Sequence, residues 1–273
     1  MTVLAIVCIA LYLWATWRFG ARLVDAANQI HQPASQNMVA VAGIALACHA
    51  LTLYDTSIAA NGLQIGVSNA LSLIAWVAAA LAIIAVPGRP HDNLAVVVLP
   101  LAALSVLGAL LFPPAPVADA RPLSVGVQVH VVVSVLGYGL LGLAALQAMF
   151  VALQDRLLRE KRWMAMLRAL PALTAQESLL FRLIGAGFFF LSLSLATGVM
   201  YVQDLFAQHL VHKTALSVVA WSMFAFLLFA RWRYGWRGRG VVRLCLAAFV
   251  VLGLGYFGAK LVLEEILGRS WSA

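Results

Sequence analysis

The chain has 273 residues, of which 64% are hydrophobic and only 10% are charged. The mean hydropathy is +0.97. Because the apolar residues form long runs rather than the spaced pattern of a soluble core, the composition excludes a water-soluble globular protein and indicates a polytopic membrane protein. The formal net charge of +8 comes mainly from Lys and Arg between and beside these runs, so it does not indicate a nucleic-acid-binding protein.

Eight segments are apolar and long enough to cross a bilayer, which takes about 20 residues of helix. In chain order they are Thr2–Phe19, Met38–Tyr54, Leu63–Val86, Leu94–Phe112, Val125–Leu153, Leu179–Phe206, Lys213–Ala230 and Val241–Leu267. We therefore predict an all-α fold, a transmembrane bundle of eight spans that forms one integral-membrane domain over residues 1–273. The first segment lacks a basic start and a small-residue cleavage site, so we interpret it as a retained span.

Basic residues are distributed unevenly between the two sides of the membrane. Fourteen of the 18 Lys and Arg follow spans one, three, five and seven, so the positive-inside rule places both termini outside the cytoplasm. The mixed basic and apolar segment Asp155–Ser178 predicts a cytoplasmic amphipathic helix on anionic lipid, with partner docking as the alternative. The run Arg231–Gly240 is typical of an interfacial belt, and we do not interpret it as a single-strand binding site.

Four of the six histidines fall at one predicted depth, near the outer ends of the spans. His49 precedes the outer end of span two by five residues, about 7.5 Å at the helical rise, and His130 follows the start of span five by five residues. His209 and His212 lie between spans six and seven, also on the outer side. Because ionisable residues are costly inside a bilayer, this shared level predicts a metal site. A histidine that only packs is the alternative for each position.

Small residues share the predicted helix faces of two of these histidines. They predict either a flat slot for a planar ligand or simple helix packing. They are Ala42, Ala45 and Thr52 beside His49, and Ser134, Gly137 and Leu141 beside His130.

The available side chains favour an iron porphyrin over zinc or copper, because no carboxylate cluster and no Cys or Met at ligand spacing accompanies the histidines. His130 and His212 stand near the N-termini of their spans, which favours the neutral imidazole that ligates iron. For Lys260 the alternative to a role beside the haem is an ion pair with Glu264, one helical turn further along the chain. We expect haem b, with its iron held by two of His130, His212 and His49, with His209 nearby and with the cations Lys213, Arg121 and Lys260 near the propionates.

Several stretches resemble the cytochrome c assembly family, the CcsA- and HemX-like membrane proteins. They are Val129–Gly142, His212–Trp221, Arg231–Gly238 and Leu252–Leu261, while Leu170–Phe189 and Gln208–Thr214 are similar to the YpjD-type group. The resemblance implies a haem-handling protein of the bacterial inner membrane with eight spans, and it implies that His130 is an outer-face haem ligand. The chain differs from the assembly factors in having no Trp in Met200–Lys213 and no histidine after the last span, so haem delivery to apocytochrome is not predicted.

These observations predict a haem-binding membrane protein without catalysis of its own. It would act in haem transport, haem sensing or the biogenesis of a cytochrome or respiratory complex. Its expected partners are the lipid bilayer, haem, and another membrane protein or a second copy of the chain, with no nucleic acid. The alternative is a structural or regulatory subunit of a membrane ion-transport system whose histidines only pack. An enzyme is disfavoured because no nucleophile or carboxylate pair stands out.

Overall fold

The computed structural model describes residues 2–27, 36–59, 62–63, 67–85, 92–112, 124–161, 167, 170–201 and 208–255. Within these ranges the chain forms eight helices and one short hairpin. The helices are α1 (Thr2–Ala27), α2 (Gln36–Ser57), α3 (Val67–Ala85), α4 (Asp92–Leu111), α5 (Val125–Glu160), α6 (Leu173–Tyr201), α7 (Gln208–Tyr234) and α8 (Arg239–Gly253). The hairpin pairs β1 (Ile58–Ala59) with β2 (Gly62–Leu63) in antiparallel register, with Ile58 opposite Leu63.

A helix occupies each of the eight predicted segments, as expected where a spanning chain must satisfy its backbone hydrogen bonds internally. Among the described residues, six helices are long and apolar enough to cross a membrane, over Thr2–Asp25, Asn37–Thr56, Leu94–Leu111, Val125–Glu160, Leu173–Tyr201 and Thr214–Tyr234. The helix α3 contributes a shorter apolar stretch, Ser68–Ile84. Only residues 241–255 of the predicted span Val241–Leu267 lie within the described residues, and α8 covers them as far as Gly253. The all-α membrane fold is confirmed, whereas the number of eight spans and the outward termini remain predictions.

Only the two ends of the predicted amphipathic segment Asp155–Ser178, with residues 167, 170 and 171, lie within the described residues, so its placement on lipid stays a prediction. Its first residues continue α5 to Glu160, and its last residues belong to α6. The helical extension of α5 is favoured by ion pairs one turn apart, Arg156–Glu160 at 2.7 Å and Arg159–Asp155 at 3.1 Å. The next residue, Lys161, has a left-handed φ of 50°, a conformation typical of the end of a helix. Trp163 lies outside the described residues.

The chain divides into two compact units. Unit 1 comprises Met1–Pro122 and Leu153–Gln176, and unit 2 comprises Leu123–Ala152 and Glu177–Ala273. In unit 1, α1 packs against α2 and α4, and α3 packs against the same two helices. In unit 2, α7 packs against α8. His49 belongs to unit 1 and His130 to unit 2.

Small residues bring the helices of unit 1 together. Ala42 and Ala45 on α2 are fully buried, and the thiol of Cys8 on α1 lies 3.4 Å from the carbonyl oxygen of Ala45. Close backbone approach of this kind is a main source of attraction between helices in lipid. The small-residue stripe beside His49 therefore serves helix packing rather than a ligand slot.

Glycines bring α5 and α6 together in unit 2. A Cβ on Gly137 would lie 3.3 Å from the backbone nitrogen of Leu191, and a Cβ on Gly187 would lie 3.2 Å from the backbone nitrogen of Leu141. The stripe beside His130 therefore packs against α6, and it does not line the flat slot considered from the sequence. These contacts place the His130 end of α5 beside the last turns of α6.

Candidate functional site

His130 on α5 is the centre of a hydrogen-bonded cluster with α6. Its Nδ1 lies 3.1 Å from the carbonyl oxygen of Ser194 and 3.2 Å from Oγ1 of Thr197. The hydroxyl of Ser134 donates to the carbonyl oxygen of His130 at 2.6 Å and lies 2.7 Å from the hydroxyl of Ser194. We call these four residues the polar cluster. It joins α5 and α6 at the level of His130.

The hydrogen bonds of the polar cluster determine which nitrogen of His130 carries the proton. A carbonyl oxygen only accepts, so the contact with Ser194 requires a proton on Nδ1. The hydroxyl of Thr197 donates to the carbonyl oxygens of Leu193 and Ser194, at 2.8 Å and 3.1 Å, and its lone pair is left to accept from Nδ1. The lone pair of the ring is then on Nε2, which has no hydrogen-bond partner among the described residues.

This arrangement is the one in which histidine ligates a metal. A ring N–H that donates to a backbone carbonyl fixes the tautomer and the orientation of the imidazole, and it raises the basicity of the opposite nitrogen. The ring of His130 is half-buried. The polar cluster can therefore hold His130 as a pre-oriented ligand that offers Nε2.

Gly198 lets the imidazole of His130 lie close to the backbone of α6. A Cβ on Gly198 would lie 3.2 Å from Cε1 of His130 and 3.6 Å from Nδ1. One turn further along the pair, the ring of Tyr201 on α6 covers Gly126 on α5 so closely that a Cβ there would collide with it. Both glycines thus leave room for a ring from the opposite helix, and the backbone of α6 supports one side of the imidazole.

His49 has a different environment, inside unit 1. It is fully buried, and its Nδ1 lies 3.1 Å from the hydroxyl of Tyr12 while its Nε2 lies 2.8 Å from the hydroxyl of Ser72. A hydroxyl can donate or accept, so both ring nitrogens are satisfied in either tautomer. Tyr12 is also fully buried, and its ring meets the imidazole edge-on at a centroid distance of 5.7 Å. Neither nitrogen of His49 is available to a metal in this arrangement, which favours the packing alternative.

The other predicted site residues have no described side chain: His209, His212 and Lys213 lie within α7, and Arg121 and Lys260 lie outside the described residues. Their roles toward haem stay predictions. Within the described ranges no three His, Cys, Asp or Glu come together. A haem iron takes only one or two axial ligands from the protein.

The register of α6 and α7 gives the level of His212 along its helix. The indole Nε1 of Trp221 donates to the hydroxyl of Ser192 at 2.8 Å, and six residues separate the two helices along the chain, as in antiparallel neighbours. His212 precedes Trp221 by about 13.5 Å of helix, and Thr197 follows Ser192 by about 7.5 Å. The backbone at His212 is therefore on the same side of this contact as the polar cluster, about one turn beyond it.

The residues of α6 that contact His130 were not predicted from the sequence. Ser194, Thr197 and Gly198 are three and four residues apart, so they lie on one face of the helix. A search of the other spans for a polar or small stripe at helical spacing would have found them. It would not have shown that this stripe faces His130, because helix pairing is not visible in hydropathy.

Comparison with known proteins identifies relatives of the chain. The profile of the family described as cytochrome C assembly protein matches residues 38–267. Inner membrane protein YpjD of Escherichia coli K12 is 32% identical over 225 residues, 82% of this chain and 85% of that protein. Protein HemX of Brevibacillus brevis is 25% identical over 131 residues, 47% of this chain and 48% of HemX. Cytochrome c biogenesis protein CcsA of Gloeobacter violaceus is 27% identical over 97 residues, 35% of this chain and 29% of CcsA. No solved structure matches the chain.

Proposed function

The chain belongs to the cytochrome c assembly protein family, and from this premise we propose that it is a multi-pass protein of the bacterial inner membrane that binds haem b. Six apolar helices support the membrane location. The name of the E. coli relative supports the inner membrane. The CcsA relative is named a cytochrome c biogenesis protein, which supports a haem-related role.

The observation that carries the proposal is that Nε2 of His130 has no hydrogen-bond partner in the part of the chain that the structure describes. The donor set fits an iron porphyrin, because Nδ1 is committed to Ser194 and Thr197 at 3.1 Å and 3.2 Å and the remaining lone pair belongs to a neutral imidazole. When bound, haem supplies an iron that accepts axial ligands and changes its oxidation state. His130 would hold this iron through Nε2, and the polar cluster would keep the ring from rotating.

We assign the second axial position to His212. The register of α7 puts its backbone on the same side as the polar cluster, one turn away, and both histidines stand near the N-terminus of a helix, where the neutral imidazole is favoured. Lys213, Arg121 and Lys260 would then donate hydrogen bonds to the propionates, and His209 would be nearby without ligating. His49 serves unit 1 through its hydrogen bonds to Tyr12 and Ser72.

The role that follows is haem transport, haem sensing or support of cytochrome or respiratory-complex biogenesis, without catalysis by the protein itself. The segment Met200–Lys213 contains no Trp, so we do not propose a surface that presents haem to an apocytochrome. A further membrane protein or a second copy of the chain is the expected partner for such a role.

The optical spectrum of the purified full chain tests this proposal. Protein made in cells supplied with a haem precursor should show a Soret band and the pyridine haemochrome spectrum of haem b. A chain that is helical by circular dichroism, carries no haem and takes up no added haemin would contradict the proposal. That result would favour the alternative, a structural or regulatory subunit of an ion-transport system whose histidines only pack.

A further inference from the structure

The turn between α7 and α8 forms a strongly basic surface, which we call the arginine corner (residues 231–243). Four of its arginines are exposed: Arg233, Arg237, Arg239 and Arg243. In the described part of the chain no carboxylate pairs with Arg233, Arg237 or Arg243, and the ion pairs found there belong to α5. The corner therefore presents three exposed guanidinium groups, of Arg233, Arg237 and Arg243, for which no ion pair is found among the described residues.

The backbone of the arginine corner is held in place from α6. Glu177 is 9% exposed, and its carboxylate accepts a hydrogen bond from the backbone N–H of Gly238 at 3.1 Å. The guanidinium of Arg231 lies 4.7 Å from the ring centre of Phe181, a cation–π contact. Gly238 has φ of 77°, a left-handed conformation that glycine adopts without strain. These contacts therefore hold the backbone that carries the exposed arginines.

The aromatic residues of the corner mark the level of the lipid headgroups. Trp232 is 82% exposed and Tyr234 is 74% exposed, and the apolar part of α7 ends at Tyr234. Amphipathic rings at the end of a span lie between the acyl chains and water. The arginines that follow them in the chain are therefore at the height of the lipid phosphates.

We propose that the arginine corner binds the headgroup of an anionic phospholipid. A guanidinium donates two parallel hydrogen bonds to phosphate oxygens, and the positive charge of Arg233, Arg237 and Arg243 complements the charge of the lipid. A nucleic acid is a poorer match, because the exposed rings lie at the end of a span. The proposal does not depend on haem binding.

Native mass spectrometry of the full chain in neutral detergent tests this inference. Cardiolipin and phosphatidylglycerol should bind, and phosphatidylcholine should not. The double variant Arg237→Gln/Arg243→Gln should bind the anionic lipids roughly 30-fold more weakly, the factor expected for two arginines near an anionic headgroup. Arg237→Lys/Arg243→Lys keeps the charge without the paired donors and should fall between this variant and the parent.

The matched control is Arg156→Gln/Arg159→Gln, which removes the same charge from arginines that are ion-paired within α5. Its lipid affinity should change less than about twofold. An equal loss in both double variants would overturn the proposal, because net charge alone would then explain binding. Equal binding of phosphatidylcholine, or binding of inorganic phosphate or a single-stranded oligonucleotide as tight as that of lipid, would overturn it as well. Thermal unfolding of every variant establishes that it is folded.

Discussion

A Cβ on Gly198 would lie 3.2 Å from Cε1 of His130, so the imidazole on α5 rests against α6 at a position where the backbone has no side chain. The same stretch of α6 supplies the acceptors for Nδ1 from Ser194 and Thr197. Support and hydrogen bonds together fix the orientation of the ring, and Nε2 is the nitrogen without a hydrogen-bond partner among the described residues. The candidate site therefore depends on three residues of α6 as much as on the histidine.

Gly198→Ala should weaken haem binding by roughly tenfold, the lower end of what is seen when the groups that orient a metal ligand are altered. The new methyl group would push the ring away from its two acceptors by a few tenths of an ångström. Haemin titration of the purified variant measures the change. Gly185→Ala on the same helix is the control, because a Cβ there meets nothing within 4 Å. Equal haem affinities of the two variants would show that the contact between His130 and α6 does not affect haem binding.

His49→Ala should destabilise the protein and leave its haem spectrum unchanged. The substitution leaves the buried hydroxyls of Tyr12 and Ser72 without their partner, at a cost of about 1–3 kcal/mol for each unsatisfied group. Denaturant unfolding in detergent measures the change in free energy. Thr16→Ala is a control in the same unit, since its hydroxyl bonds only to a carbonyl of its own helix. Loss of haem at unchanged stability would instead make His49 a haem ligand.

The positive-inside prediction is testable with single cysteines. In a chain whose native Cys8, Cys48 and Cys245 are replaced by Ala, Arg237→Cys should resist an impermeant thiol reagent until the membrane is permeabilised. Arg121→Cys, on the predicted outer side, should react in intact cells. The reverse labelling pattern would place both termini in the cytoplasm and would move the candidate site to the inner face.

The positions of the helices could be predicted from the sequence, because a bilayer forces an apolar segment to satisfy its own backbone hydrogen bonds. The ends of the helices were predicted less well. Hydropathy ended span five at Leu153, whereas α5 continues to Glu160, because ion pairs between neighbouring turns sustain a helix in water. Apolarity reports where the lipid ends and not where the helix ends.

The candidacy of His130 could also be predicted, from its depth, but its environment could not. Its acceptors Ser194 and Thr197 are 64 and 67 residues away along the chain, and the pairing of helices depends on side-chain packing that composition does not reveal. For the same reason the small residue Gly137 suggested a ligand slot, whereas Leu191 fills that space. His49 was a candidate by its depth and by the small residues on its helix face, and the hydroxyls of Tyr12 and Ser72 contact both of its nitrogens.

The most direct measurement of axial ligation is the absorption spectrum of three purified histidine variants beside that of the parent. His130→Ala and His212→Ala should each abolish a six-coordinate low-spin haem spectrum, because each removes one of the two proposed ligands. His209→Ala is the matched control, three residues from His212 on the same turn of α7, and it should keep the parent spectrum. If all three variants bind haem as the parent does, or if the folded parent binds none, the haem assignment at His130 is contradicted.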